Sequence, residues 1–376
     1  MRQPYITGVG MIGFGRFRDA TLESLAVPAA LDALSDAGAG ASNIDAVYCG
    51  NVYGGMLPAQ RIAGQLGLTG RPCYNVEAAC SSSAVALHLA VQAIRAGQLD
   101  TALVIGVEQL SVFGGGTLRL NESDFEVSQG VSMPAVYAMR AQRYLGATGA
   151  TIEDLAAVAV KNRGNGARNP RAQFRKAVTV DEVLASRPIA DPLTLLQCCG
   201  SGDGAAAVVV SSDPDYGSAG RPVAIAASVV SSGTIGPHDL SREPLTARVA
   251  QAAYQEAGIT PSEVNVVELH DAFSIAELLY YEALGLCGYG EAAELLRDGF
   301  TAHTGACPVN PSGGLLARGH PLGATGIAQV AEVVWHLRQS GALIRPQSRI
   351  GLTHCTGGGI SGYDHAACTI HILAAG

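Results

Sequence analysis

The chain repeats itself. Residues 30–51, ALDALSDAGAGASNIDAVYCGN, run from a helical pattern through a glycine stop into a β-branched strand, and residues 252–273, AAYQEAGITPSEVNVVELHDAF, follow the same plan. A second matching pair lies downstream. SSSAVALHLAVQAIRAGQLDTALVIGVEQ predicts a helix from Ser81 to about Ala96, a stop at Gly97 and a strand over Thr101–Gly106. GATGIAQVAEVVWHLRQSGALIRPQSRIGLTHC predicts a helix from about Thr325 to Gln339, a stop at Gly341 and a strand over Arg349–Thr353. Two such units imply two α/β halves about a pseudo-twofold axis. The continuous apolar strands ALVIGV, AAAVVVS and VNVVEL suit a sheet buried on both faces. Ligands of such sheets bind beyond the carboxyl ends of the strands, where helix N-termini point inward.

A segment at about 115–192 fits neither unit. It holds glycines of VFGGGTLRL, the polar run NESDFEVSQG, predicted helices around 134–146 and 151–164, and a stretch from Lys161 to Lys176 with six cations and no acid. It reads as an excursion from the first half, which resumes in DGAAAVVVSS. The expected division is 1–114 plus 193–215 for the first half, 115–192 for the inserted loop domain and 216–376 for the second half.

Length and composition narrow the class. The chain has 376 residues, 48% hydrophobic and 15% charged, with 47 glycines, as in a compact protein rich in tight turns. A low charged fraction points to covered surface and so to a dimer or larger assembly. A net charge of −8 argues against nucleic acid or an anionic membrane as the main partner. No apolar run reaches the roughly 18–20 residues of a membrane span. Nine cysteines without framework spacing, and no signal-peptide or peroxisomal pattern, lead to the expectation of free thiols in a reducing cytoplasm.

Six motifs invite chemistry. GVGMIG (8–13) matches a dinucleotide fingerprint, but the helical pattern begins only near Thr21, so no helix N-terminus would receive a pyrophosphate. HAACTIH (365–371) has a superficial metal spacing, yet it reads as a terminal strand, on which residues three apart face opposite ways. No metal is expected. Cys80, in EAACSSSAV, stands where a strand turns into a long helix, with Ser81 to Ser83 able to cap its first turn. A thiol there meets the positive end of the helix dipole, which favours its thiolate. A buried structural cysteine is the competing reading. His270 ends a strand in VVELHDAF, and His320 sits between glycines in NPSGGLLARGHPLGATG. Cys355, in LTHCTGGG, is open to reading as nucleophile, ligand, part of a phosphate loop or a core residue. Histidines at two loops and cysteines at two others suit a thiol nucleophile with a neutral base better than they suit packing.

EAACSSSAV, HDAF, NPSGGLLARGHPLGATG and HCTGGG, in this order, resemble the four active-site loops of the thiolase superfamily. DPLTLLQCCGSGDGAAAVVV and NPRAQFRKAVTVDEVLASRPIADP resemble its sterol-carrier-protein-type branch with bacterial and archaeal relatives. The resemblance spans nearly the whole chain. It implies a five-layered αβαβα fold of two βαβαβαββ halves, with the loop domain of the first half contacting coenzyme A. It also implies a CoA-dependent acyltransferase that performs Claisen condensation or thiolysis of 3-ketoacyl-CoA, with acyl-CoA as substrate and no covalently bound cofactor. Cys80 would carry the acyl group, His320 would take its proton, and Cys355 would move the α-proton. One oxyanion pocket would use His270 and His320, the other the backbone N–H groups of Cys80 and Gly357. Ala272, Phe273 and Cys199 are the expected contacts to substrate or CoA, and the basic stretch is expected to face CoA phosphates. The chain departs from many thiolases in carrying His270 where they have asparagine, and in lacking an N-terminal Arg-Thr-Pro turn. The branch includes aldolases and aromatic acyltransferases, some of which work with a small zinc-ribbon/OB-fold partner, so those activities stand as the alternative. A homodimer or homotetramer is expected.

Overall fold

The computed structural model describes residues 2–114, 125–216, 221–234, 236, 238–340, 348–358 and 365–376. The predicted Gly341 stop lies outside these residues, as does most of the GGGTLRL run. The first half runs β1 (Tyr5–Met11), α1 (Leu22–Asp36), β2 (Ala46–Gly50), α2 (Pro58–Gln65), β3 (Cys73–Val76), α3 (Ser82–Arg95) and β4 (Thr101–Gln109). Between β4 and the next strand of this half lie α4 (Phe125–Ser128), α5 (Met133–Ala147), α6 (Ile152–Arg168), α7 (Val180–Leu184) and a ribbon of β5 (Pro188–Ala190) with β6 (Leu193–Thr194). The half closes with β7 (Asp203–Ser211). The second half runs β8 (Val223–Ser231), α8 (Pro244–Ala257), β9 (Val266–Glu268), α9 (Ser274–Ala283), α10 (Ala292–Arg297), α11 (Gly314–Ala317), α12 (Leu322–Leu337), β10 (Ile350–Gly357) and β11 (Ala367–Ala375).

The strand order β3-β2-β4-β7-β1-β8-β11-β10-β9 makes the repeat visible. Read outward from the centre, β1-β7-β4-β2 and β8-β11-β10-β9 are the same arrangement twice. A bridge between Val267 and Val309 stands where the first half has β3. The halves join through β1, which pairs antiparallel with β7 along its length but with β8 over Tyr5 and Ile6 alone. The half-sheets enclose α3 and α12, with α1 and α2 outside one and α8 and α9 outside the other. These are the five expected layers.

Sequence explains who occupies the middle. α12, LGATGIAQVAEVVWHL, is apolar or small nearly all round, and every residue except Trp335 is buried. Its first turn approaches the first half-sheet so closely that a Cβ on Gly323 would lie 2.4 Å from Val107 O. The glycines of GVGMIG serve packing too: a Cβ on Gly8 would meet Ala33 O of α1 at 2.1 Å, and one on Gly10 would meet Ala29 O at 2.2 Å. β10 runs past the predicted Thr353 to Gly357 and so carries Cys355 to the inner end of the sheet.

Candidate active site

Between β3 and α3 the backbone makes a tight turn. Ala79 adopts a left-handed φ of 49°, strained for a residue with a Cβ, and Ser81 N–H reaches back to Ala78 O at 3.0 Å. Cys80 stands at the tip, half-buried. The three serines after it do not cap the helix as expected. Ser81 has φ −92° and ψ 3°, outside the extended backbone that a capping residue needs. Its Oγ instead donates to Cys355 O at 3.2 Å and meets Thr369 Oγ1 at 2.8 Å. Ser82 Oγ closes the turn by accepting from Ala78 N–H, and Ser83 Oγ accepts from Ile327 N–H of α12 at 3.1 Å. The serine run therefore ties the Cys80 turn to β10, β11 and α12.

The other three residues arrive from separate loops of the second half. His270 follows β9, His320 immediately precedes α12, and Cys355 lies on β10. The ligating atoms of Cys80, His270 and His320 all lie within 4.8 Å of one another. The two imidazoles meet edge to face with centroids 5.0 Å apart. Cys355 Sγ is 3.4 Å from His270 Nδ1, and its S–H donates to Cys80 O at 3.1 Å. The hydrogen bonds fix one tautomer. Thr325 Oγ1 donates to Pro321 O at 3.0 Å, so at its 2.7 Å contact with His320 Nδ1 it must accept. The proton then sits on Nδ1, and the Nε2 lone pair is left for the thiol.

Burial dominates the protonation states. The Cys80 thiol is pushed up to about 12, chiefly by loss of water, while the N–H groups of Gly358 and of Cys80 itself oppose the shift. Glu108 and Glu77 raise it further. The dipole argument from sequence is thus overridden: desolvation of the thiolate outweighs the helix terminus. His320 is lowered to about 3, by burial first and Arg318 second, and His270 falls well below its usual value by burial and then by His320. Cys355 rises well above a free thiol, again by burial first. The resting site is a neutral thiol beside a neutral imidazole. A backbone donor facing Cys80 Sγ belongs to Gly358, the neighbour of Gly357, whose N–H was expected to receive the thioester oxygen rather than the sulfur. At Gly357 a Cβ would lie 2.1 Å from Ala78 O, so the close approach of the two turns depends on that glycine.

A cavity of about 390 Å³ opens onto these groups. The predicted Ala272, Phe273 and Cys199 all line it, locked together by Cys199 N–H donating to Ala272 O at 2.8 Å. The excursion supplies the facing wall through Met133, Pro134 and Tyr137, with Tyr137 stacked on Phe273 at 4.4 Å. The basic stretch contributes nothing to this lining. Lys161 is paired with Glu277 at 2.7 Å, Arg163 covers Phe174, and Arg171 lies over Trp335 at 3.9 Å. The cations that line the cavity are the exposed Arg16 and Arg187, which sequence reasoning missed because neither belongs to a dense basic run. Thr325 and Tyr137 lie in helices and were missed because their contacts, with His320 and Phe273, do not show in spacing along the chain. The HAACTIH residues are dispersed: His371 bonds Ser228 Oγ and Ala84 O, and His365 bonds Gly358 O. Among the described residues, the donor set with metal-ligand proximity is Cys80, His270 and His320.

Comparison with known proteins agrees along the whole length. Residues 5–213 match the model "Thiolase, N-terminal domain" and residues 229–370 match "Thiolase C-terminal domain-like". The chain is 46% identical to the benzoylsuccinyl-CoA thiolase subunit BbsB of Thauera aromatica, over 98% of each. It is 42% identical to an acetyl-CoA acetyltransferase of Methanothermobacter thermautotrophicus, over 95% of this chain and 97% of the other. Among solved structures, the Ltp2-ChsH2(DUF35) aldolase superposes with a TM-score of 0.85 at 25% identity, covering 99% of this chain and 98% of that one.

Proposed function

The chain belongs to the thiolase family, and we propose that it forms and cleaves carbon–carbon bonds of 3-ketoacyl-CoA thioesters through an acyl group carried on Cys80. It is an acyltransferase with CoA thioesters as substrates. The observation that carries the assignment of roles is the convergence of four loops from two halves on one cavity, with the reactive atoms of Cys80, His270 and His320 within 4.8 Å.

In the first half-reaction His320 Nε2 takes the Cys80 proton as sulfur attacks the thioester carbonyl. Substrate entry displaces water, so charge forms only with the acyl carbon in place. The developing oxyanion is received by backbone N–H groups of Cys80 and of the Gly357–Gly358 turn. The CoA thiolate leaves with the proton from His320. In the second half-reaction the Cys355 S–H proton passes to His270 Nδ1, 3.4 Å from the sulfur, and the Cys355 thiolate removes an α-proton from a second acyl-CoA. The enolate oxygen is held by Nε2–H of the His270 imidazolium, with His320 beside it. The carbanion attacks the acyl-Cys80 carbonyl, and the released Cys80 thiolate takes the proton from His270 while Cys355 keeps the α-proton as its S–H. Thiolysis is the reverse. Arg16 and Arg187 are the cations available to CoA phosphates.

A second reading is supported by the 0.85 TM-score to an aldolase assembly and by a 46% identical relative named as a subunit. In it the chain cleaves side chains, or condenses acyl units, together with a small zinc-ribbon/OB-fold protein. The edge strand β3, with Tyr74, Met56 and Leu57 exposed nearby, supports a homodimer. No helix among the described residues is long and apolar enough to cross a membrane, and we place the protein in the cytoplasm with its nine cysteines free. Incubation with a panel of acyl-CoAs, followed by intact mass and peptide mapping, tests the first reading. Acyl mass on Cys80 is expected; turnover without it refutes the acyl-enzyme and favours aldol cleavage.

A further inference from the structure

We propose that the same three side chains form an inhibitory site for a borderline-soft divalent cation of the zinc class, bound by Cys80 Sγ and one ring nitrogen each of His270 and His320. One thiolate and two imidazoles are a donor set that zinc prefers, and Mg²⁺ and Ca²⁺ do not. The ligating atoms lie within 4.8 Å of one another. Bonds of roughly 2.0–2.3 Å in tetrahedral geometry place ligands roughly 3.3–3.8 Å apart, so side-chain rotation of an ångström or less closes the site.

The surroundings are those of a prepared ligand set. His320 Nδ1–H is held by Thr325 Oγ1 at 2.7 Å, which fixes the ring and aims the Nε2 lone pair at the centre, the usual outer-shell arrangement of a metal-bound histidine. His270 Nδ1 faces Cys355 Sγ at 3.4 Å, leaving Nε2 as its other donor. Glu108 and Glu77, whose field disfavours a free Cys80 thiolate, favour a cation bound to it. The open cavity is the entry path, and it leaves a fourth position for water.

Binding is a proton-for-metal exchange. The Cys80 S–H bond breaks, its proton goes to solvent, and a sulfur–metal bond forms in its place, while both imidazoles donate lone pairs. No oxidant or reductant takes part. An occupied site cannot acylate, because the nucleophile and its base are both engaged. Only this inhibitory half rests on the thiolase reading; the binding half rests on geometry.

The full-length protein, reduced and metal-free, is titrated with Co²⁺ as an optical probe. We expect one equivalent to give the strong visible bands of tetrahedral cobalt and a thiolate-to-cobalt charge-transfer band, both displaced by Zn²⁺ and unaffected by Mg²⁺. Cys80→Ser abolishes the charge-transfer band, His270→Gln weakens binding by about tenfold or more, and Cys199→Ser retains the band. Circular dichroism confirms that each variant is folded. Zn²⁺ suppresses thiolysis, chelator restores it, and prior acylation with acetyl-CoA prevents cobalt binding. A charge-transfer band that survives Cys80→Ser, or no stoichiometric binding, overturns the proposal. Stoichiometric cobalt binding in a protein that never acylates would instead retain the site and refute the catalytic assignment.

Discussion

Replacing Thr325 by valine removes one oxygen from the site while keeping the shape of the side chain. In the parent that oxygen accepts from His320 Nδ1 at 2.7 Å because its own hydrogen is given to Pro321 O at 3.0 Å. In the variant the Nδ1–H loses this acceptor inside a buried site, or the proton moves to Nε2, where the ring can no longer accept from Cys80. Either route costs about 1–3 kcal/mol, the usual penalty for stranding a buried donor. At about 1.4 kcal/mol per decade, acylation of Cys80 slows roughly 5- to 150-fold. The assay is single-turnover quench with acetyl-CoA, read as the rate at which acyl mass appears on Cys80. The slowing falls on the rate constant at saturation rather than on the acyl-CoA concentration needed. Thr325→Ser, which restores the oxygen, acylates near the parent rate. Parent-like acylation in Thr325→Val, or equal slowing in both variants, refutes the view that this hydroxyl sets the His320 tautomer.

Cys355→Ala should still accumulate acyl-Cys80 by mass but lose condensation by about 10²–10⁴-fold, the range for a positioned acid/base group; parallel loss of both steps would remove its separate role. His371, lowered to about 3 by burial, stays neutral in the fold while the unfolded chain binds a proton near 6.5. Its contribution is therefore complete above pH 6.5 and is lost as pH falls from there toward 3, so the parent should lose about 2 kcal/mol relative to His371→Asn between pH 8 and pH 5 in urea melts. A difference that does not change with pH contradicts the buried neutral state. Gly323→Ala would place a Cβ 2.4 Å from Val107 O and 2.8 Å from Asn51 Cα. A loss of about 1–3 kcal/mol in denaturant midpoint analysis is expected from such overpacking, and an unchanged midpoint would show that α12 can withdraw from β4 freely.

Much of the architecture was legible before any coordinates. The repeat at 30–51 and 252–273 implied two halves, and the strand order shows them, because helix and strand periods are written locally in the apolar spacing. Boundaries were less so. β10 extends four residues past the predicted Thr353 because pairing with β11, at Cys355 to Thr369 and Gly357 to Ala367, holds it extended. The serines after Cys80 read as a helix cap from local preference alone, yet the hydroxyls of Ser81 and Ser83 bond residues more than two hundred positions away.

The motifs singled out Cys80, His270, His320 and Cys355 as candidates, since each sits in a short pattern of glycines and a strand or helix end that is visible in sequence, and the resemblance to the thiolase superfamily supplied their expected roles. What only the tertiary structure decided is how those groups are charged and which neighbours serve them. Burial, a property of the whole fold, moves Cys80 up to about 12 against the helix dipole that sequence could foresee. The same distance from local pattern explains the cations: within the conspicuous Lys161–Lys176 run, Lys161 is held in an ion pair and Arg163 and Arg171 in ring contacts, while Arg16 and Arg187, outside any dense basic run, border the cavity. Sequence carries residue type and period, whereas desolvation and Coulomb energy depend on separations through space that the folded chain alone establishes.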